Sequence, residues 1–121
     1  MNSIIKKSLI PILLAAPLMT NAENIFFEEF KTTHNVVPFD RIEKSFYEEA
    51  VDSGIKLAKQ EIAAIVNQRS IPTFENTIVR FERSGEMLDR VLSTFYPILS
   101  ADGDDEMNEI SVRTAPKFSE Y

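Results

Sequence analysis

The stretch "FYEEAVDSGIKLAKQEIAAIVN", from Phe46 to Asn67, restricts this chain more than any other feature. Tyr47, Ala50, Val51, Gly54, Ile55, Ala58, Ile62, Ile65 and Val66 recur at steps of three and four, the interval that returns side chains to one face of an α-helix. Glu48, Glu49, Lys56, Lys59 and Glu61 fall on the opposite face. A helix of this kind must press its apolar side against a partner, so the chain reads as all-α, built from packed helices.

The partner follows directly. "NQRSIP" ends the first helix, because Pro72 lacks a backbone donor and biases Ile71 away from helical angles. Thr73 is a natural N-cap, and Glu75 sits in the first turn, where the helix dipole favours negative charge. Phe74, Ile78, Phe81, Leu88, Leu92, Phe95 and Leu99 then form one stripe at steps of four and three, provided position 85 is counted. The short connection Gln68 to Pro72 predicts an antiparallel helix hairpin.

Position 85 is Gly85, preceded by Ser84, and glycine costs a helix interior about 1 kcal/mol relative to alanine. Two uses would offset that cost: a close approach by the first helix, or a break with a new helix starting at Glu86. The stripe stays in phase across Gly85, which favours a local bend with the helical direction kept. After Leu99, "SADGDDEMNEI" predicts a loop, an N-cap at Asp102 or Asp104, and a third helix from near Asp105. That helix would bury Met107, Ile110 and Phe118, with Pro116 kinking or interrupting it.

Upstream, residues 23–45 read as an extended arm with a short helical turn at Arg41 to Lys44, and residues 46–121 as the helical segment. The arm shows no sustained period and should be pinned by Phe26, Phe27 and Phe30. Asp40 with Glu43, and Ser45 with Glu48, have the spacing of capping boxes. Residues 1–22 have the layout of a signal peptide: Lys6 and Lys7, the apolar run "LIPILLAAPLM" from Leu9 to Met19, and a small residue, Ala22, after which cleavage is expected. The run is shorter than the roughly 20 residues that span a bilayer, and Pro11 and Pro17 interrupt it. The expected product is exported, to the periplasm or outside the cell, with no membrane association after cleavage.

Removing residues 1–22 takes the formal charge from −6 to −8, which repels phosphate backbones and excludes nucleic acid as a partner. With no cysteine, stability rests on packing or on further chain. A single buried stripe offsets little of the entropy of ordering a helix pair, and the helical pattern still runs at Tyr121 without a closing glycine. Both features predict the opening of a longer helical protein. The other reading is a stand-alone secreted helical module that binds a partner through the Phe74 to Leu99 stripe.

Residue chemistry points to no activity. His34 is the only histidine, so the HExxH arrangement of a zinc peptidase, with two histidines one turn apart, is absent. Ser70, Ser84 and Ser93 have no base other than His34 to activate them. Three dispersed glycines make no phosphate loop, and "DGDDE" at Asp102 to Glu106 lacks the ligand spacing of a calcium loop. No catalytic, cofactor-binding or metal residue is assigned within residues 1–121.

The wording of the sequence carries more. "PFDRI" (38–42), "FYEEAVDSGIKLAKQEIAAIVNQ" (46–68), "PTFENTIVRFERSGEMLDRV" (72–91), "ADGDDEMNEI" (101–110) and "PKFSEY" (116–121) occur in this order. Together they resemble the N-terminal segment of the thimet oligopeptidase family of zinc metallopeptidases, in particular its peptidyl-dipeptidase and oligopeptidase A branch. Most specific are Pro72 to Ile78 followed by Glu82, Ser84, Gly85, Leu88, Arg90 and Val91. Thr33, Gln68 and Tyr121 stand where the family more often has proline, asparagine and histidine.

The resemblance implies a helical, channel-shaped enzyme acting on short peptides. One zinc ion would be held by the two histidines of HExxH and a downstream glutamate, and a water on that zinc would attack the scissile carbonyl. All of those residues belong to a distant C-terminal part, and none maps onto residues 1–121. The segment itself would be part of a helical lobe, partnered by the remainder of its own chain.

Overall fold

The computed structural model describes residues 23–121, so the expected signal peptide and its cleavage after Ala22 lie outside the described residues. Among these the regular structure is entirely helical, as the periodicities predict. The first helix, α1 (Ser45–Val66), lies within one residue of its expected bounds and buries Phe46, Tyr47, Ala50, Val51, Gly54 and Ala58. Neither expected capping box forms at its start. Lys44 precedes the helix without a side-chain cap, and Ser45 Oγ donates to Glu43 Oε2 at 3.5 Å. Backbone carbonyls already take the first donors, Phe46 N to Glu43 O at 3.0 Å and Tyr47 N to Lys44 O at 3.2 Å, while Glu48 turns to Arg113. Asp40 likewise lies in a 3-10 turn, Phe39–Arg41, that begins at Pro38 with no side-chain cap.

Thr73 caps the next helical segment in a reciprocal box with Asn76: Thr73 Oγ1 accepts from Asn76 N at 3.1 Å, and Asn76 Oδ1 accepts from Thr73 N at 2.8 Å. One wide, π-type turn, Phe74–Val79, leads into the short α2 (Arg80–Arg83). The chain then breaks, and α3 (Glu86–Asp102) starts afresh. The expected bend with continuous direction is therefore corrected to a break. Ser84 is extended (ψ 133°) and Gly85 is left-handed (φ 83°).

Hydrogen bonds on both sides of the break account for it. Ser84 Oγ donates to Phe81 O at 2.6 Å and closes α2; Gly85 N–H donates to Glu61 Oε2 at 2.8 Å; and Asp89 N–H donates to Gly85 O at 2.9 Å and opens α3. A stripe can stay in phase across such a joint because a left-handed residue redirects the axis without changing the residue count. Its two halves then point to different surroundings. Leu88 and Phe95 are buried and Leu92 and Leu99 half-buried, whereas Phe74, Ile78 and Phe81, expected on the buried side, are exposed.

The close approach assigned to Gly85 occurs instead at Gly54. A Cβ on Gly54 would lie 3.1 Å from Leu88 Cα and 3.2 Å from Leu88 Cβ, while one on Gly85 would meet nothing nearer than 3.6 Å. The pairs Gly54 with Leu88, Tyr47 with Phe95 and Glu61 with Gly85 make α1 and α3 antiparallel, as expected for the hairpin.

The last helix, α4 (Asp105–Ser119), is capped by Asp104, whose carboxylate accepts from Met107 N at 3.1 Å. It buries Met107, Ile110 and Thr114, and Phe118 is half-buried. Pro116 does not interrupt it, since the ring lies on the exposed side and the carbonyl it leaves unpaired belongs to the exposed Val112. Ion pairs run up α1 and α4 in the same order, Glu48 to Arg113 at 3.0 Å and Asp52 to Lys117 at 2.6 Å, so these helices are parallel. The arm closes the core at one side: Phe26 lies between α1 and α3, 5.3 Å from the Tyr47 ring, and Tyr47 meets Phe95 edge-on at 4.9 Å.

Candidate functional site

Three polar residues fix the arm. Asn24 caps the 3-10 turn Ile25–Phe27 with Oδ1, and its amide donates to Phe46 O at 2.9 Å and to Glu49 Oε2 at 3.1 Å. Arg90 on α3 donates through one guanidinium nitrogen to Phe26 O and Glu28 O, both at 3.1 Å, and covers the Phe30 ring at 5.8 Å. Glu61 holds the joint at Gly85. Phe26 and Phe30 are buried as expected, while Phe27 remains exposed.

These contacts give the most recognisable words of the sequence a structural task. Ser84 closes α2, Gly85 turns the chain, Leu88 rests against Gly54, Arg90 clasps the arm and Val91 is fully buried. Pattern reading found the apolar members but missed Asn24, Glu61 and the task of Arg90, because each bonds across more than twenty residues of sequence. Only Asn24 gave a local hint, as a cap residue directly before "IFF".

No cluster with catalytic chemistry is assembled among the described residues. His34 is exposed in a left-handed turn with Asn35 (φ 60° and 54°), and no group of three or more His, Cys, Asp or Glu could hold a metal ion. The acidic run Asp102 to Glu106 is divided between tasks: Asp104 caps α4, and Asp104 and Glu106 both pair with Lys44 beside the start of α1, Glu106 at 3.2 Å. Lys44 holds the Asp104 carboxyl below its usual range, helped by the Met107 N–H. Tyr47 is buried with an unpartnered hydroxyl, and burial pushes it up to about 12, which keeps it a neutral phenol at physiological pH. Among the described residues no hydrogen bond joins Ser70, Ser84 or Ser93 to His34: Ser84 Oγ bonds to Phe81 O and Ser93 Oγ to Arg90 O at 3.2 Å.

Surface, not chemistry, is what distinguishes one end of the hairpin. Beyond Ala58 the apolar side of α1 opens, with Ile62 and Ile65 half-buried and Val66 exposed. Ile71, Phe74, Ile78 and Phe81 continue this exposed apolar surface, Phe74 being 72% accessible and Phe81 56%. Asn76, Thr77 and Val79 are half-buried there, and Gln68 Nε2 donates to Thr77 Oγ1 at 3.3 Å. No helix among the described residues is long and apolar enough to cross a membrane.

Comparison with known proteins places this arrangement beside peptidases. No protein-family model matches the chain, and no solved structure matches it. A dipeptidyl carboxypeptidase of Salmonella typhimurium is 40% identical over 72 residues, which is 60% of this chain and 11% of that protein. A dipeptidyl carboxypeptidase of Escherichia coli is 37% identical over 82 residues, 68% of this chain and 12% of that protein. The matched stretch thus spans about a ninth of the length of these curated relatives, and what the chain resembles over it is part of a peptidase.

Proposed function

We propose that the chain is the opening segment of an exported, zinc-dependent peptidyl-dipeptidase of the thimet oligopeptidase family, and that it serves that enzyme as structure and not as catalyst. The similarity to two dipeptidyl carboxypeptidases carries this reading. The substrates would be short peptides shortened by dipeptides from the C-terminus. The donor set present does not fit the expected zinc: one exposed histidine, no cysteine, and no cluster of ligating side chains among the described residues. The metal would have to be held in another part of a longer polypeptide.

What these residues supply is a braced wall. Gly54 lets α1 and α3 approach closely, Arg90 and Asn24 lock the arm across them, and the Glu48 and Asp52 ion pairs fix α4 alongside α1. A wall of this kind limits access to a reaction centre by shape. The alternative, a stand-alone binding module using the whole Phe74 to Leu99 stripe, loses Leu88 and Phe95, which are consumed in the core. The test is a dipeptide-release assay on the polypeptide encoded by the complete reading frame. C-terminal dipeptide release supports the proposal, and a frame of several hundred codons without HExxH refutes it.

A further inference from the structure

Asp102 alone among the aspartates of this chain is followed by glycine. The pair lies between two helices: Asp102 is the last residue of α3, Gly103 is extended (φ −73°, ψ 131°), and Asp104 caps α4. Both Asp102 and Gly103 are exposed. The acids beside them are engaged, Asp104 as the cap of α4 and, with Glu106, as a partner of Lys44. The Asp102 carboxylate has no ion pair or hydrogen bond among the described residues. The Gly103 N–H makes no well-formed hydrogen bond either, whereas the Asn67 N–H at the corresponding end of α1 donates to Ala63 O at 2.9 Å.

Packing requires glycine at position 103. A Cβ there would overlap Leu99 O and lie 2.9 Å from Leu99 Cδ1. The missing side chain that lets this turn close also leaves the Gly103 nitrogen open to the carboxyl next to it. Helix ends fray, so the last residue of α3 is the one that samples other backbone angles and brings carboxyl and nitrogen together.

We infer that Asp102 and Gly103 form a site of spontaneous modification, at which the aspartate isomerises to isoaspartate and thereby loosens the start of α4. The Gly103 nitrogen attacks the side-chain carboxyl carbon of Asp102. A nitrogen–carbon bond forms, the amide proton and one carboxyl oxygen leave as water, and a cyclic imide results. Water then opens either carbonyl of the imide. Opening on the side-chain side restores aspartate; opening on the main-chain side routes the backbone through the former side chain. The water lost in the first step is regained in the second, so no oxidant, reductant or other co-reactant is needed. Isoaspartate lengthens the backbone by one methylene just ahead of Asp104, whose carboxylate accepts from Met107 N at 3.1 Å and whose carbonyl accepts from Asn108 N at 3.0 Å. The added length displaces both bonds and the Lys44 pair. The ion pairs of Glu48 with Arg113 and Asp52 with Lys117 still hold the rest of α4 to α1.

Incubating the full-length polypeptide at neutral pH in heavy-oxygen water tests this, because every opening of the imide leaves one heavy oxygen on residue 102. Fragmentation mass spectrometry should find that label, together with the isoaspartyl linkage, at Asp102 and not at Asp52 or Asp104, each of which precedes a residue with a side chain. Asp102→Glu should abolish the label, since the larger imide ring it would need closes far more slowly. In the aged protein, hydrogen exchange at Met107 and Asn108 should quicken while Thr114 stays protected, and Asp102→Glu aged alongside should show no quickening. Label at Asp102 no greater than at Asp52 or Asp104 overturns the inference. Label at Asp102 with unchanged exchange at Met107 overturns the link to α4, as does equal quickening in Asp102→Glu.

Discussion

Gly54→Ala opposes two effects of known size. Alanine gains about 1 kcal/mol over glycine in a helix interior through propensity and the unfolded chain's entropy. Against this, the new methyl would sit 3.1 Å from Leu88 Cα, 3.2 Å from Leu88 Cβ and 3.3 Å from Leu88 Cδ1. Rotating the Leu88 side chain relieves the last of these contacts and leaves the first, which belongs to the backbone. The axes of α1 and α3 must therefore separate by a few tenths of an ångström along a seam that also holds Tyr47 against Phe95. Overpacking of this kind costs about 1–3 kcal/mol, so the net expectation is a loss of up to about 2 kcal/mol. Gly54→Val adds two further carbons into the same space and should lose more. Urea denaturation followed by circular dichroism, with Ser53→Ala on the same helix as reference, gives the comparison. A gain of the full 1 kcal/mol for Gly54→Ala, as at an exposed helical site, would refute the claim that these helices touch through glycine.

Other perturbations probe the remaining joints. Gly85→Ala should cost about 1–2 kcal/mol because its φ of 83° strains any L-residue although space is free, and Gly85→Asn should cost less; a stabilising alanine would mean the joint is helical after all. Arg90→Ala removes two hydrogen bonds from a charged donor, each worth roughly 1.5–3 kcal/mol, and should release residues 23–31 to limited proteolysis and hydrogen exchange without melting α1. The Asp104 carboxyl is depressed by Lys44, so its contribution is present above the ordinary carboxylate range and fades as pH falls through the depressed value. Lys44 is raised by Asp104 and Glu106, so its share is intact at neutral pH and fades only above the usual lysine range. Asp104→Asn should therefore flatten the acid limb of the Met107 amide shift in an NMR titration, and an unchanged limb would exclude the pair as its cause.

How much of this was legible depends on the range of each interaction. Periodicity located α1 and α4 closely, because a 3.6-residue repeat is a local property of the chain. Caps were legible where the side chain was the best acceptor available, as at Thr73 and Asp104, and not at Asp40 or Ser45, where backbone carbonyls had already taken the donors. The Ser84-Gly85 break was hidden because a stripe in phase says nothing about axis direction, and the choice between bend and break was made by Glu61, which lies 24 residues earlier. The arm's phenylalanines were readable from composition, whereas its clasp by Arg90 is a contact across 64 residues that no local pattern encodes.

The central claim is that this chain gives shape to a peptidase whose chemistry lies elsewhere in the polypeptide. The measurement that meets it most directly is C-terminal dipeptide release from a short N-blocked peptide, run with the full-length polypeptide and with residues 23–121 side by side, each with and without a zinc chelator. The account predicts chelator-sensitive release by the full-length protein and none by residues 23–121. Hydrolysis by the short chain, or an inert full-length protein that contains zinc, would contradict it.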